Sequence, residues 1–135
     1  MKIMLDTTAY VGFKRNDIET VEIILQAEQI LFSSVVLGEL MFGFRNGTRF
    51  KENMADLNNF LEHESVRLVE VGKITSDRYS RIAAQLKRQG TPIPNNDIWI
   101  AAQTQEHGAE LITFDQHFKR ISGLVCTIFN GLYSN

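Results

Sequence analysis

Apolar positions along the chain fall into short dense runs separated by longer stripes of helical spacing. Met1 to Leu5 contains the run Ile3-Met4-Leu5. It is too short for a helix and has nothing polar to alternate with, so it reads as a strand buried on both faces, as in a parallel sheet. Ile30-Leu31-Phe32-Ser33, Val66 to Val71, Glu110 to Phe114 and Leu124 to Phe129 predict four further strands. The intervening stripes predict helices. Asp17 caps one through about Glu28, with Ile18, Val21, Ile24 and Leu25 inward. Ser33 or Ser34 caps another from about Val35 to Arg45, stopped by Asn46-Gly47. A third runs from about Phe50 to Glu62 on Met54, Leu57, Phe60 and Leu61. A fourth is capped by Thr75 or Ser76 and runs to about Gln89 on Tyr79, Ile82, Ala83 and Leu86, ending at Gly90. Thr91-Pro92-Ile93-Pro94 is a stiff loop. A fifth helix runs from about Asn96 to His107, and Asp115 to Arg120 is a short helical turn.

Strands alternating with helices predict an α/β layer fold whose central five-stranded sheet is mostly parallel and flanked by helices. In such a fold helix N-termini share an edge with strand C-termini, where ligands bind. Four acids fall on that edge. Asp6 ends the first strand, Glu39 lies in the first half of the helix after the second, Asp97 opens the helix before the fourth, and Asp115 follows the fourth directly. Each has an ordinary reading. Asp6 serves as a turn residue, Asp97 as an N-cap, Asp115 as a cap of the short turn. Glu39 is the lone charge in Val35 to Phe44, with no basic residue three or four positions away, so it is either paired with something distant or exposed between two buried stripes. Together, converging carboxylates repel unless cations sit between them. Oxygen-only ligands suit Mg²⁺ or Mn²⁺, and such ions support phosphodiester hydrolysis.

Charge and composition sharpen this reading. Net charge is −2, which alone does not suggest a nucleic-acid binder, but setting aside the four edge acids turns it to +2. Lys14, Arg15, Arg45, Arg49, Lys119 and Arg120 lie in segments leaving the same edge and form a set of candidate RNA-backbone contacts, each singly also readable as a solvated helix end. The 135 residues suffice for one domain, 1–135. No secretory leader and no membrane-length apolar run is evident. One cysteine, Cys126, precludes an internal disulfide and fits a reducing, cytoplasmic setting. His63, His107 and His117 lack metal-ligand spacing, and His117 reads as a surface residue near Asp115. Trp99 reads as core. Phe42 and Phe44 read as an interaction surface, because their helix is apolar nearly all round.

The motifs Leu5-Asp6-Thr7-Thr8, Ser33-Ser34-Val35-Val36-Leu37-Gly38-Glu39-Leu40 with Gly43, Ile93-Pro94-Asn95-Asn96-Asp97-Ile98-Trp99-Ile100-Ala101-Ala102, and Leu111-Ile112-Thr113-Phe114-Asp115-Gln116-His117-Phe118 resemble those of the PIN domain, most closely the VapC toxins of bacterial toxin–antitoxin pairs. The resemblance runs the length of the chain. It implies a metal-dependent endoribonuclease whose acidic quartet, Asp6, Glu39, Asp97 and Asp115, holds Mg²⁺ or Mn²⁺. Thr113 matches a polar position near the first acid, and Thr7 and Thr8 match hydroxyl or amide positions after it. Thr8 departs from the usual asparagine or serine, and Phe114 stands where many relatives have asparagine. The resemblance further implies an RNA substrate (transfer or ribosomal RNA), a VapB-type antitoxin laid across the active-site groove, and a homodimer. Two other readings of the same fold stay open: an RNA-binding or scaffold protein without catalysis, and a PIN nuclease of RNA processing. A phosphoacceptor receiver domain is set aside, because no acid pair follows the first strand, no Asp ends the third and no Lys follows the fifth.

Overall fold

The order of strands in the sheet decides which loops can meet. In the computed structural model, which describes residues 1–131, five strands pair in the order β3-β2-β1-β4-β5, every pair parallel. They are β1 (Lys2–Leu5), β2 (Gln29–Ser33), β3 (Val66–Val69), β4 (Glu110–Thr113) and β5 (Cys126–Ile128). The first strand in sequence is thus the middle strand in space. In register, Leu5 stands beside Phe32 on one side and Ile112 on the other. The residues just beyond, Asp6, Ser33 and Thr113, therefore sit together at the carboxyl edge.

β1 is buried on both faces, as its uniform apolar run predicts. Met4 joins a core cluster with Leu31, Phe32, Leu57 and Leu111, while Ile3 and Leu5 join another with Ile24, Ile30 and Ile112. The strand's two-residue period sends neighbours to opposite sides. Among the described residues six helices cover the sheet: α1 (Thr7–Lys14), α2 (Ile18–Gln26), α3 (Ser34–Arg45), α4 (Phe50–Glu62), α5 (Lys73–Gln89) and α6 (Asn95–Glu106). A 3₁₀ turn spans Gln116–Arg120.

Several expectations need correction. Helix α1 was not expected at all. It starts immediately after β1, capped by Asp6, whose side chain accepts from the Ala9 N–H. In α2, Ile18 and Leu25 point outward, 73% and 78% exposed, and the buried positions are Thr20 and Ile24. Helix α5 begins before the expected Thr75 or Ser76 cap. Thr75 lies in its first turn, fully buried, accepting from the Gly72 N–H at 3.0 Å and donating to the Glu106 carboxylate. Gly90 ends that helix at φ 69°, a conformation an L side chain resists. Trp99 is half-buried and stacks on Tyr79, ring centroids 4.0 Å apart.

One polar link ties the layers together. Gln103, fully buried on α6, accepts from the Ser33 hydroxyl and donates to the Val69 carbonyl at 3.3 Å. It thereby fastens α6 to the ends of β2 and β3. Gln103→Leu keeps the volume but strands both partners in the core. The expected cost is about 1.5 kcal/mol, read from urea unfolding. An unchanged midpoint would mean the link contributes nothing net.

Candidate active site

Asp6 follows the middle strand and is 3% exposed. A carboxylate there must find donors, and it finds three. The Thr8 hydroxyl and the Ala9 N–H donate to Oδ1 at 2.7 and 2.9 Å, and the Thr113 hydroxyl donates to Oδ2 at 2.5 Å. Each threonine oxygen in turn accepts from the chain beyond β4. The Phe114 N–H donates to Thr8 Oγ1 and the Asp115 N–H to Thr113 Oγ1, both at 2.9 Å. Both hydroxyls donate to Asp6 and accept from backbone, and their oxygens lie 3.3 Å apart, so the frame that holds Asp6 also positions the backbone of Asp115.

Asp115 caps the 3₁₀ turn, accepting from the His117 N–H at 2.9 Å. Glu39 comes from the sixth residue of α3. Thr7 on α1 donates to its Oε1 at 2.6 Å, and Asn96 on α6 donates to its Oε2 at 3.3 Å. The Thr7 and Asn96 side chains thus supply the distant partners that sequence neighbours do not. Asp97 is the third residue of α6, where the helix dipole favours negative charge. Pro94 takes the N-cap position that Asp97 was an alternative candidate for.

Electrostatics tie the four acids together. Burial pushes the Asp97 carboxyl up to about 7, and the charges of Asp115, Asp6 and Glu39 add to it while His117 opposes them. Asp6 is raised to about 6, again chiefly by burial, with Asp115 adding and its three donors opposing. For Asp6 burial therefore outweighs three hydrogen bonds. Asp97 raised to about 7 is partly protonated at neutrality, and Asp6 becomes so about one pH unit lower, unless a cation replaces the protons.

A divalent ion fits this donor set. One ligand atom from each of Asp97, Asp115 and His117 can be chosen so that all lie within 4.8 Å of one another. Asp6 keeps lone pairs free after accepting three bonds, and each Glu39 oxygen has accepted one. His117 was read as a surface residue outside any metal set. It is half-buried and stands within the acid cluster, together with Asn96 the part of the site that sequence reasoning missed. The spacing rule fails for His117 because its companion Asp97 comes from another element.

The basic candidates divide. Lys14, Arg15 and Arg49 line one cleft of about 660 Å³ with Tyr10, Val11, Leu40 and Phe44, between α1, α3 and α4. Lys14 approaches Asp56 at 3.5 Å and Arg49 pairs with Glu52. Arg45 lies 4.4 Å over the Phe50 ring. Arg120 donates to the Pro92 carbonyl at 2.9 Å, and Lys119 is exposed. Phe42 is 68% exposed on α3, whereas Phe44 is partly buried against the core.

Comparison with known proteins is consistent along nearly the whole chain. Residues 3–124 match the PIN domain family. The chain is 29% identical to Ribonuclease VapC2 of Rickettsia felis, covering 93% of this chain and 96% of the relative. It is 30% identical to Ribonuclease VapC1 of Haemophilus influenzae strain R2866, covering 92% and 95%. A third relative, the tRNA(fMet)-specific endonuclease VapC of Shigella flexneri, is 27% identical over 92% and 95%. Among solved structures, VapBC2 from Rickettsia felis bound to a DNA fragment from their promoter superposes at a TM-score of 0.83, with 27% identity over 96% of this chain and 100% of that one.

Proposed function

The chain belongs to the PIN domain family, among its VapC ribonucleases, and from that premise we propose that it is a Mg²⁺- or Mn²⁺-dependent endoribonuclease, the toxin of a toxin–antitoxin pair. The observation that carries the metal dependence is the convergence of Asp97 and Asp115 within one cluster, with burial first and then the charges of Asp115, Asp6 and Glu39 raising the Asp97 carboxyl. Asp6, Glu39, Asp97 and Asp115 would hold the ion, and the convergence of Asp97 and Asp115 supports this. A divalent ion bound there makes water a better nucleophile and offsets the charge that develops on a phosphodiester.

The chain's own residues do the rest. Thr8 and Thr113 hold the Asp6 carboxylate and the backbone of Asp115 in one frame. Thr7 and Asn96 hold Glu39 from both oxygens. Lys14, Arg15, Arg45, Arg49, Lys119 and Arg120 remain the candidate contacts to RNA phosphates. The first, second and fourth of these share a cleft whose α1 wall begins at the Thr7 end, so a strand leaving the acids would meet positive charge about 10 Å on.

The substrate class is structured RNA, with transfer RNA favoured by the tRNA(fMet)-specific relative. A VapB-type antitoxin is the expected partner, supported by the structural likeness to a VapBC complex, and exposed Phe42 on α3 offers an apolar contact for it or for a second copy of the chain. In this reading residues 1–135 act as one domain, dimerise and work in the cytoplasm. Among the described residues no helix is long and apolar enough to cross a membrane. The test is purified protein, free of antitoxin, incubated with total cellular RNA. Discrete fragments should appear with Mg²⁺ or Mn²⁺ and vanish with EDTA. RNA bound but uncut in either metal would replace this proposal with the binding-only reading.

A further inference from the structure

We infer that His117 is a nitrogen ligand of the ion site and makes the site prefer Mn²⁺ to Mg²⁺. The inference rests on the acids being a metal site, as proposed above, and goes beyond the four carboxylates to a residue outside that set.

The local chain brings the imidazole in. Because the His117 N–H caps Asp115 Oδ1 at 2.9 Å, the side chain two residues on folds back over the same carboxylate. Its Nδ1 lies 3.0 Å from that oxygen. Yet the pair is not aligned for a hydrogen bond, and Nδ1, which is shut off from solvent, makes none with any described residue. The side chain as a whole stays half-exposed, so the contact with Asp115 leaves this nitrogen close to a carboxylate yet without an aligned hydrogen bond.

The spacing suits coordination instead. Adjacent ligands of an octahedral ion with bonds of about 2.1 Å lie about 3.0 Å apart, and opposite ones about 4.2 Å. The 3.0 Å between Nδ1 and Oδ1 has the first value. One ligand atom from each of Asp97, Asp115 and His117 lies within 4.8 Å of the others, so the three side chains converge closely enough for one ion to recruit them. Mg²⁺ takes oxygen ligands and keeps its waters, whereas affinity of nitrogen-containing sites rises along the transition series. An imidazole in the set thus favours Mn²⁺ over Mg²⁺. The other histidines stand apart: His63 Nδ1 accepts from the Ser65 N–H, and His107 sits beside Glu106.

The test is pulsed electron paramagnetic resonance on the full chain loaded with Mn²⁺ at pH 8, with Mn²⁺ and Mg²⁺ affinities measured in parallel. Wild type should show the ¹⁴N modulation of a directly bound imidazole. His117→Gln should lose it, binding Mn²⁺ about tenfold more weakly while Mg²⁺ affinity changes less. Should His117→Gln fail to fold, wild type grown with ¹⁵N-histidine must change its modulation instead. Mn²⁺ bound without nitrogen coupling, or coupling that persists in His117→Gln, overturns the assignment of His117 and leaves the acidic site standing. Failure to bind Mn²⁺ at all overturns both.

Discussion

Asp97→Asn should cut RNA at least about a thousandfold more slowly than wild type, and the metal-free variant should be the more stable protein at pH 8. On the proposed metal site, the rate loss follows from removing a ligand of the ion that would offset charge on the phosphodiester, on the scale of losing one such contact in other enzymes. The gain in stability has the same origin. Burial and the charges of Asp115, Asp6 and Glu39 hold the Asp97 carboxyl up at about 7, so at pH 8 its ionised form is disfavoured in the fold. Asn removes the charge and keeps the shape. With discount for solvent screening, the relief is about 1 kcal/mol, or about 4 °C in melting temperature. A folded Asp97→Asn protein that cuts at the wild-type rate in saturating metal would remove Asp97 from the site. One less stable than wild type would contradict the crowding of charge.

Metal-free protein should lose stability as pH rises from 5 to 8, by about 2 kcal/mol or more. Asp6 is raised to about 6 and Asp97 to about 7 from a usual value of 3.8. Between those values the folded state holds protons that the unfolded state has released. Stability from these groups is therefore present below about 4 and declines as pH climbs through the raised values. For Asp6 the whole shift is worth about 3 kcal/mol, roughly half of it falling between pH 5 and 8, with a screened share from Asp97 added. Saturating Mn²⁺ should reverse the trend above pH 7, because the ion binds the ionised acids. Urea unfolding at pH 5 and 8, with EDTA and with Mn²⁺, decides it. Stability that rises with pH in EDTA would mean the acids are already compensated by the protein.

The acids were legible because parallel topology turns position in sequence into position in space. A residue that ends a strand lies on the carboxyl edge, whichever strand it is. Asp6 and Asp115 needed only that rule, Asp97 needed its corollary that helix N-termini share the same edge, and Glu39 needed the absence of a local partner. Helix α1 was not legible. Thr7-Thr8-Ala9-Tyr10-Val11-Gly12-Phe13 carries β-branched residues and a glycine and has no clear stripe. It is held by the Asp6 cap and by Tyr10, whose ring meets Phe32 and Phe60 edge-on at 5.7 and 5.4 Å. Those are tertiary causes. Helix α2 misled in the opposite sense. Its apolar face is wider than the core it covers, so Ile24 is taken in and Ile18 and Leu25 are left out. His117 and Asn96 depend on a meeting of three elements that no single stretch announces.

The place of β1 between β2 and β4 bears on how a cell can make such a protein safely. Asp6 receives its hydroxyl from Thr113 across 107 residues of chain, and Asp115 is set by the same contact. A nascent chain has its first acid almost at once but cannot assemble the cutting edge until β4 has been translated and has docked beside the strand made first. Fragments released by early stop codons or broken messages lack Asp115 and the frame that holds Asp6. Chains cut short before β4 thus cannot complete the acidic edge, which comes together only after most of the chain has been synthesised.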